Sequence, residues 1–306
     1  MDIAVIGTGA IGGYYGARLA RAGHRVHFWS RTEHAYLRDH GLTVDSYLGD
    51  FSVAKPLAYA QIADLPACDI VLVTIKATAN QAVFPALAPV IKPGTAVVLM
   101  QNGFGNEPLL AKLYPQARIY AGLCFICTFR DGPGRVRHTD YGLVSLASQV
   151  PDAARLADLA AVFMGAGIET KTVGQVLEAR LRKLIWNVPF NGLTVVLDAT
   201  TADLAASPSI QVLAHAMMEE LIEAAAAAGV TIEASFADEM LATLDTMGPY
   251  NSSMRLDYLA GRPLEIEAMY WNVIHFAAQH GYQMKYATML ARQLEYRQAT
   301  RQLAGR

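Results

Sequence analysis

Three glycines near the amino terminus have the types and spacing needed to bind a dinucleotide. Gly7, Gly9 and Gly12 form a Gly-x-Gly-x-x-Gly motif that directly follows a short apolar segment. Gly7 permits a tight turn, Gly9 leaves the backbone open to a pyrophosphate, and Gly12 lets the next helix pack closely on the strand. That helix would direct free N–H groups, beginning at Ala10 and Ile11, at the phosphates. The motif therefore predicts a dinucleotide site.

The end of the second predicted strand indicates which dinucleotide binds. An NAD site usually has Asp or Glu there, about 20 residues beyond the glycines, to bind the ribose hydroxyl groups. This chain has Ser30 and Arg31 instead. A carboxylate would repel a 2′-phosphate, whereas the guanidinium of Arg31 can form paired hydrogen bonds with it. The position favours NADP(H) over NAD(H) and FAD, and the alternative is a solvated surface arginine.

A second group of polar residues lies in the carboxyl half of the chain. Lys183, Asn187 and Asn191 are four residues apart, so a regular helix places them on one face. The residues between them are mostly apolar, and buried polar groups are unfavourable unless they have partners. The stripe indicates a ligand site. The alternative is a helix end capped by asparagines, since Pro189 should kink or end the helix.

Several other polar residues are candidates of lower specificity. Lys76 and Asn102 follow two predicted central strands, at the sheet edge where ligands of open α/β folds bind. Asn102 could face a nicotinamide or form an ordinary Asn-Gly turn, and Lys76 could contact an anion or be solvated. Glu265 begins a predicted helix, where most acids complement the helix dipole. Ser253 belongs to a predicted N-cap pair.

Two kinds of structure must position these residues. The amino half alternates predicted strands and helices, with apolar runs at 69–75 and 95–100 that are typical of central parallel strands. From about residue 170 nearly every segment reads as helix. We predict an α/β fold: a Rossmann-type doubly wound sheet in residues 1–172, then an all-α domain in residues 173–306, with a substrate cleft between them. Further expected elements are a short antiparallel strand pair at the sheet edge, 135–138 and 143–146, and helices at 178–196, 210–228, 234–246, 252–260, 263–280 and from 287 onward.

The composition excludes several classes of protein. With 306 residues, 53% hydrophobic and 17% charged, the chain is globular, and a net charge of −2 gives no electrostatic case for nucleic acid. We expect no membrane span, no signal peptide and a cytoplasmic location. Cys124 and Cys127 should point to opposite faces of a strand, and we predict no metal site. The apolar helical half could form a homodimer or pack on itself.

Taken in order, these residues resemble the 2-dehydropantoate 2-reductase (ketopantoate reductase) family along nearly the whole chain. The Lys-Asn-Asn and Ser-Ser-Met blocks are the most specific. The resemblance is carried by Gly7-Thr8-Gly9-Ala10-Ile11-Gly12, Arg31, Thr74-Ile75-Lys76-Ala77, Gln101-Asn102-Gly103, Arg182-Lys183-Leu184 with Asn187 and Asn191, Asn251-Ser252-Ser253-Met254 with Asp257, and Leu264-Glu265-Ile266-Glu267.

The resemblance implies NADPH-dependent reduction of 2-dehydropantoate to pantoate, in pantothenate and coenzyme A synthesis. It implies that Lys183 is the general acid, because an ammonium group can stabilise the developing oxyanion and deliver a proton. It implies that Glu265 supports the substrate and the lysine. The remaining roles that it implies are Arg31 for the 2′-phosphate, Lys76 and Asn102 near the nicotinamide, and Asn102, Asn187, Asn191 and Ser253 for the 2-oxo acid.

Three departures from the family pattern affect the identity of the oxo acid. The family often has Thr and Asp where this chain has Leu264 and Glu267, and often Asn near Tyr250, depending on a one-residue alignment choice. Changes in a hydroxyl-binding pocket can alter specificity. Two alternatives follow: a reductase of another bulky 2-oxo acid, of the D-2-hydroxyacid dehydrogenase type, or a non-catalytic NADP(H)-binding sensor, which would not need the lysine, asparagine and glutamate set.

Overall fold

The computed structural model describes residues 1–246 and 251–304 and divides the chain into two compact units. The sequence-predicted boundary at residue 172 falls inside a strand of the first unit, Thr170–Gln175. The first unit comprises Met1–Asn102 and Asn106–Val176, and the second comprises Gly103–Gly105 and Leu177–Arg306.

The first unit is built on one mixed sheet. Its strands run in the order β4-β3-β9-β8-β7-β6-β1-β2-β5, and β10 also pairs with β9. The six strands from β8 to β5 in this order run parallel to one another, which confirms the predicted Rossmann-type sheet. The strands are β1 (Asp2–Ile6), β2 (Arg25–Trp29), β3 (Leu42–Ser46), β4 (Phe51–Val53), β5 (Leu57–Tyr59), β6 (Cys68–Val73), β7 (Ile91–Leu99), β8 (Arg118–Arg130), β9 (Arg135–Ser148) and β10 (Thr170–Gln175).

Helices cover the sheet and form nearly all of the second unit. A π-helical turn at Glu267–Trp271 leads directly into one of them, and short 3-10 turns occur at Ile62–Asp64, Ala77–Ala79 and Phe84–Val90. The α-helices are α1 (Ala10–Arg21), α2 (His34–His40), α3 (Asn80–Val83), α4 (Asn106–Leu113), α5 (Ala153–Gly165), α6 (Val176–Val196), α7 (Thr201–Ala205), α8 (Pro208–Ala227), α9 (Ser235–Thr246), α10 (Ser253–Leu259), α11 (Asn272–Gln279) and α12 (Lys285–Ala304).

The central strands are apolar on both faces because the sheet is covered on both sides. Val5, Leu72 and Val98 pack with α1 on one face. Their neighbours in sequence, such as Val73 and Leu99, pack on the other face. Successive side chains of a strand alternate between faces, so a strand buried on both sides reads as a continuous apolar run. This explains why the sequence located these strands well.

The predicted short strand pair at the sheet edge was wrong in extent and position. Residues 135–148 form one strand, β9, which lies inside the sheet between β3 and β8. β9 runs antiparallel to β8 with two register shifts, and Tyr141 and Gly142 have positive φ angles of 59° and 135°. A bulge of this kind accommodates extra residues without ending the strand. The sequence therefore shows a break in the alternation of apolar and polar residues where the strand in fact continues.

The predicted effect of Pro189 was also wrong in part, because α6 continues past it to Val196. The proline removes one backbone hydrogen bond. Its neighbours Val188, Phe190 and Leu193 are buried in the core of the second unit, and this packing favours the continued helix. The interpretation of the asparagines as caps of a helix end is therefore excluded.

The predicted helix at 263–280 begins later than expected, at Ile266. The N–H of Leu264 donates to Oε1 of Gln298 in α12 at 2.7 Å, so this segment is tied to a neighbouring helix before its own helix starts. Across residues 1–246 and 251–304, we find no helix with the length and apolar character needed to cross a membrane.

Candidate active site

The glycine turn between β1 and α1 forms an open cradle. A Cβ atom on Gly12 would lie 2.2 Å from the carbonyl oxygen of Gly7, and Gly7 itself has a φ of +104°. Packing and turn geometry therefore require glycine at both positions. Gly9 differs, because a Cβ atom there would meet nothing within 4 Å. The space beside Gly9 is open, as the approach of a pyrophosphate would need.

Side-chain hydrogen bonds fix the backbone of this turn, and they leave the N–H groups at the start of α1 available to a ligand. Thr74 Oγ1 donates to the carbonyl oxygen of Gly7 at 2.6 Å, and Thr8 Oγ1 donates to that of Trp29 at 3.0 Å. Gly9 is the N-cap residue of α1, and no side chain caps the helix. The first N–H groups, from Ala10 onward, have no acceptor within the helix, and this end attracts anions. The cradle fits a dinucleotide.

The region after β2 provides a cation, Arg31, and the acid nearest to it in sequence, Glu33, is already paired. Arg31 is exposed, and Ser30 Oγ accepts the N–H of Glu33 at 3.1 Å. Glu33 forms an ion pair with Arg130 and also accepts the N–H of Gly134 at 3.4 Å. Because Arg130 compensates the charge of Glu33, the environment of Arg31 suits a 2′-phosphate. Sequence reasoning missed this pair, since its members lie far apart in the chain.

Two loops that follow neighbouring parallel strands come together at the carboxyl edge of the sheet. Lys76 lies in the loop after β6 and is exposed, and Asn102 lies in the loop after β7 and is half-buried. The side chain of Gln101 donates to the carbonyl oxygen of Ile75 at 2.9 Å, which joins the two loops. The structure thus brings together the segments that carry both predicted cofactor residues.

The polar stripe of α6 is helical throughout, as the spacing predicted. Asn187 and Asn191 are buried, Lys183 is half-buried, and Nδ2 of Asn191 donates to the carbonyl oxygen of Asn187 at 3.0 Å. Oδ1 of Asn191 lies 3.4 Å from both Ser253 Oγ and the N–H nitrogen of Met254. Asn191 and Ser253 are therefore neighbours, although 62 residues separate them.

A further residue, missed by the sequence reasoning, supports this arrangement. Thr194 is fully buried, and its hydroxyl oxygen lies 2.7 Å from that of Ser252. Ser252 caps α10 by accepting the N–H of Arg255 at 3.1 Å, as the N-cap prediction expected for this pair of serines. Thr194 lies seven residues after Asn187, so helical periodicity places it on the same face. That periodicity could have identified it.

Glu265 is buried two residues before the π-helical turn at Glu267–Trp271, and its carbonyl oxygen accepts the N–H of Met269 at 3.0 Å. π-helical segments often occur at functional sites.

Of the departures from the family pattern, Leu264 is buried in the core and Glu267 is exposed. Tyr250 lies outside the described residues.

The π-helical turn also holds the segment Gly103–Gly105. The N–H of Phe104 donates to the carbonyl oxygen of Ala268, and Nδ2 of Asn272 donates to that of Phe104, both at 2.8 Å. The ring of Phe104 packs at 4.9 Å from the ring of Phe276. A Cβ atom on Gly103 would lie 2.7 Å from the carbonyl oxygen of Ala268. The glycine that follows Asn102 is therefore needed for close packing, which the sequence did not reveal.

The cysteines do not have the character of metal ligands. Cys124 and Cys127 are free thiols on β8, and burial raises the pKa of the Cys127 thiol to about 11. A metal ligand is the thiolate form. Among the described residues, no three His, Cys, Asp or Glu side chains are grouped as a metal site requires.

Family models, sequence relatives and solved structures all indicate the same family for this chain. Residues 3–149 match the family "Ketopantoate reductase PanE/ApbA", and residues 175–298 match its C-terminal counterpart. A 2-dehydropantoate 2-reductase from Nostoc sp. is 38% identical over 96% of this chain and 94% of its own length. The crystal structure of 2-dehydropantoate 2-reductase from Geobacter metallireducens GS-15 is 37% identical, covers 97% of this chain and 99% of its own, and has a TM-score of 0.93. D-mandelate dehydrogenase in a ternary structure with NADH and anilino(oxo)acetate has a TM-score of 0.89 over 98% of this chain and 99% of its own, but at 21% identity it shows the fold alone.

Proposed function

Since this chain belongs to the ketopantoate reductase family, we propose that it reduces 2-dehydropantoate to pantoate with NADPH, a step in pantothenate synthesis. The observation that carries the proposal is the polar stripe of α6. Lys183, Asn187 and Asn191 lie on one continuous helix, and Asn191 lies next to Ser253 of α10. A buried amide pair beside a half-buried lysine suits a small anion better than it suits a packing core.

The first unit provides the groups that would hold NADP(H). Gly7, Gly9 and Gly12 form the cradle for the pyrophosphate, with the N–H groups of Ala10 and Ile11 beside it. Arg31 would bind the 2′-phosphate, and Lys76 and Asn102 would bind near the nicotinamide. The bound cofactor supplies a hydride, and the protein supplies orientation and electrostatics.

Residues of the second unit would bind and protonate the substrate. The ammonium group of Lys183 would donate a hydrogen bond to the ketone oxygen, stabilise the negative charge that develops there, and transfer its proton to that oxygen. Glu265 would support the substrate and keep the lysine in its charged form, because an opposite charge nearby favours ionisation.

Asn187, Asn191 and Ser253, together with Asn102 of the first unit, would bind the carboxylate and hydroxyl groups of the substrate. The contacts of Asn191 Oδ1 with Ser253 and Met254 are both 3.4 Å long, which is beyond the usual hydrogen-bond range. A substrate hydroxyl can therefore replace them at little cost, and this supports a binding role for Asn191 and Ser253.

The test is NADPH oxidation followed by nicotinamide absorbance with a panel of 2-oxo acids. We expect the highest kcat/KM for 2-dehydropantoate, above unbranched, branched and aromatic 2-oxo acids. A higher kcat/KM for an aromatic or another bulky oxo acid would instead identify a reductase of the D-2-hydroxyacid dehydrogenase type. NADPH binding without turnover of any oxo acid would identify a sensor.

Location and assembly are also part of the proposal. We propose a cytoplasmic enzyme that forms a homodimer through its helical unit, where apolar side chains such as Val212 and Tyr296 are exposed. Light scattering after size exclusion would give the mass directly, and the mass of a single chain at micromolar concentration would contradict the dimer.

A further inference from the structure

A cluster of three buried amide side chains lies beside the loops that follow β6 and β7. Asn80, Gln101 and Asn106 are 8%, 4% and 3% exposed. We call them the amide cluster. Nε2 of Gln101 donates to Oδ1 of Asn80 at 2.6 Å, and Nδ2 of Asn80 donates to Oδ1 of Asn106 at 3.0 Å and to Oε1 of Gln101 at 3.3 Å. Each amide is therefore bonded within the cluster.

The amide cluster joins the two loops at the ends of β6 and β7. Nε2 of Gln101 also donates to the carbonyl oxygen of Ile75 at 2.9 Å. Ile75 directly precedes Lys76 in the chain, and Gln101 directly precedes Asn102. One side chain therefore sets the spacing between the backbones on which these two residues stand. Asn80 and Asn106 are the first residues of α3 and α4. The side chain of Asn80 forms hydrogen bonds with both Gln101 and Asn106, and so fixes the side chain of Gln101 to the starts of these two helices.

Stability alone does not explain the amide cluster. Apolar side chains of similar size could fill the same space without removing polar groups from water. Nδ2 of Asn106 is buried and has no hydrogen-bond partner among the described residues, so the cluster does not even satisfy all of its own donors. The amide cluster is therefore a costlier way to fill this space than apolar side chains would be.

We propose that Gln101, with Asn80 and Asn106, is a positioning residue for the nicotinamide end of NADP(H), because it fixes the relative placement of Lys76 and Asn102. The inference rests on the cofactor roles given to these two residues in the proposed function. Gln101 itself acts on the cofactor only through Lys76 and Asn102. It holds their loops in place, so that both residues can contact the nicotinamide without a change in loop conformation.

The central test is Gln101→Glu, which keeps the size of the side chain and replaces its donor by an oxygen atom. That oxygen would face two acceptors, the carbonyl oxygen of Ile75 and Oδ1 of Asn80. We expect the Kd for NADPH, measured by nicotinamide fluorescence, to rise about tenfold. The Kd for adenosine 2′,5′-bisphosphate, which carries only the adenine end and the 2′-phosphate, should change by less than about twofold, since Arg31 and its surroundings are untouched.

A pH titration adds a signature that a purely structural defect would not give. The introduced carboxyl group is buried among acceptors, so its pKa is raised and it regains a donor when it is protonated. The NADPH affinity of Gln101→Glu should recover towards wild type as the pH falls. Adenosine 2′,5′-bisphosphate, titrated in parallel on both proteins, corrects for protonation of the 2′-phosphate.

Gln116→Glu is the matched control, because Gln116 is exposed on the same unit and the same chemical change there should leave both Kd values unaltered. If Gln101→Glu does not fold, Asn80→Ser makes a smaller change to the same network and should raise the NADPH Kd in the same selective way. An unchanged Kd for NADPH, or an equal rise for both ligands, overturns the proposal. These are binding measurements, so a wild-type protein that binds NADPH but reduces no oxo acid would refute the proposed function and leave this test intact.

Discussion

The hydroxyl oxygens of Thr194 and Ser252 lie 2.7 Å apart, although 58 residues separate them in the chain. Thr194 also donates towards the carbonyl oxygens of Phe190 and Asn191, at 2.8 and 3.0 Å, within its own helix. Ser252 Oγ accepts the N–H of Arg255 in the first turn of α10, the helix that begins with Ser253. The pair therefore joins the end of the polar stripe to the element that carries Ser253.

Thr194→Val should remove the hydrogen bond between α6 and Ser252, because valine has the same shape as threonine and lacks the hydroxyl group. We expect the free energy of unfolding to fall by about 1–2 kcal/mol, since the hydroxyl of Ser252 loses its buried partner. The KM for 2-dehydropantoate should rise about fivefold with little change in the Kd for NADPH. Guanidinium unfolding and steady-state kinetics provide these measurements.

Thr194→Ser is the matched control, because it keeps the hydroxyl group and should restore the KM to near the wild-type value. A Thr194→Val protein that is less stable but has an unchanged KM would show that the pair has a structural role only.

Lys183→Met should separate binding from proton transfer. The loss of a general acid typically lowers kcat by about 10² to 10⁴-fold, whereas NADPH binding by the first unit should survive. Stopped-flow kinetics and a fluorescence titration measure the two effects. Lys55→Met, at an exposed lysine of the first unit, is the control and should have normal turnover. A near-normal kcat for Lys183→Met would discard this residue as the acid.

Two glycines of the motif should respond differently to alanine. Gly9 has a φ of −82°, and a Cβ atom there meets nothing within 4 Å, so Gly9→Ala should leave the Tm within about 2 °C of wild type. Its NADPH affinity should nevertheless fall at least about tenfold, because the methyl group occupies the place of the pyrophosphate. Differential scanning fluorimetry and NADPH titration test both expectations.

Gly12→Ala should instead reduce stability itself, by about 1–3 kcal/mol, because its Cβ atom would lie 2.2 Å from the carbonyl oxygen of Gly7 and 2.4 Å from Thr74 Oγ1. Gly165→Ala, where the added atom has open space, controls for alanine substitution of a helical glycine. Equal Tm values for the Gly9 and Gly12 variants would contradict this account of the turn.

Glu220→Gln should destabilise the second unit without affecting the site. The buried carboxylate accepts the N–H groups of Lys285, Tyr286 and Ala287, the last two at 2.8 and 2.9 Å, and so caps α12. Glutamine places an amide donor against these donors, and we expect a loss of about 2–3 kcal/mol in guanidinium unfolding. Glu219→Gln, at the exposed neighbour, should change stability by less than about 0.5 kcal/mol. Comparable losses for both variants would refute the capping role.

The same carboxylate explains one error at the level of secondary structure. The sequence predicts the last helix from residue 287, whereas α12 begins at Lys285, because Glu220 accepts the N–H groups at its start. The cap comes from a residue 65 positions earlier in the chain. Periodicity in a local window carries no information on such a partner.

The sequence by itself determined the features that depend on neighbouring residues. The glycine spacing predicted the turn before α1, because a tight turn from strand to helix depends on the local backbone conformation. The apolar runs located the central strands, and the fourfold spacing from Lys183 to Asn191 placed these residues on one helix face, because helix and strand geometry fix which side chains share a face.

Only the tertiary structure decided which distant groups meet. The pairs Glu33 with Arg130, Gln101 with Ile75, and Phe104 with Ala268 are contacts that no local sequence pattern predicts. The position of β9 inside the sheet likewise depends on its pairing with β3 and β8 rather than on the alternation of apolar and polar residues within β9. Such pairings follow from the packing of the whole chain, in which most buried polar groups form hydrogen bonds with whichever groups the fold brings beside them.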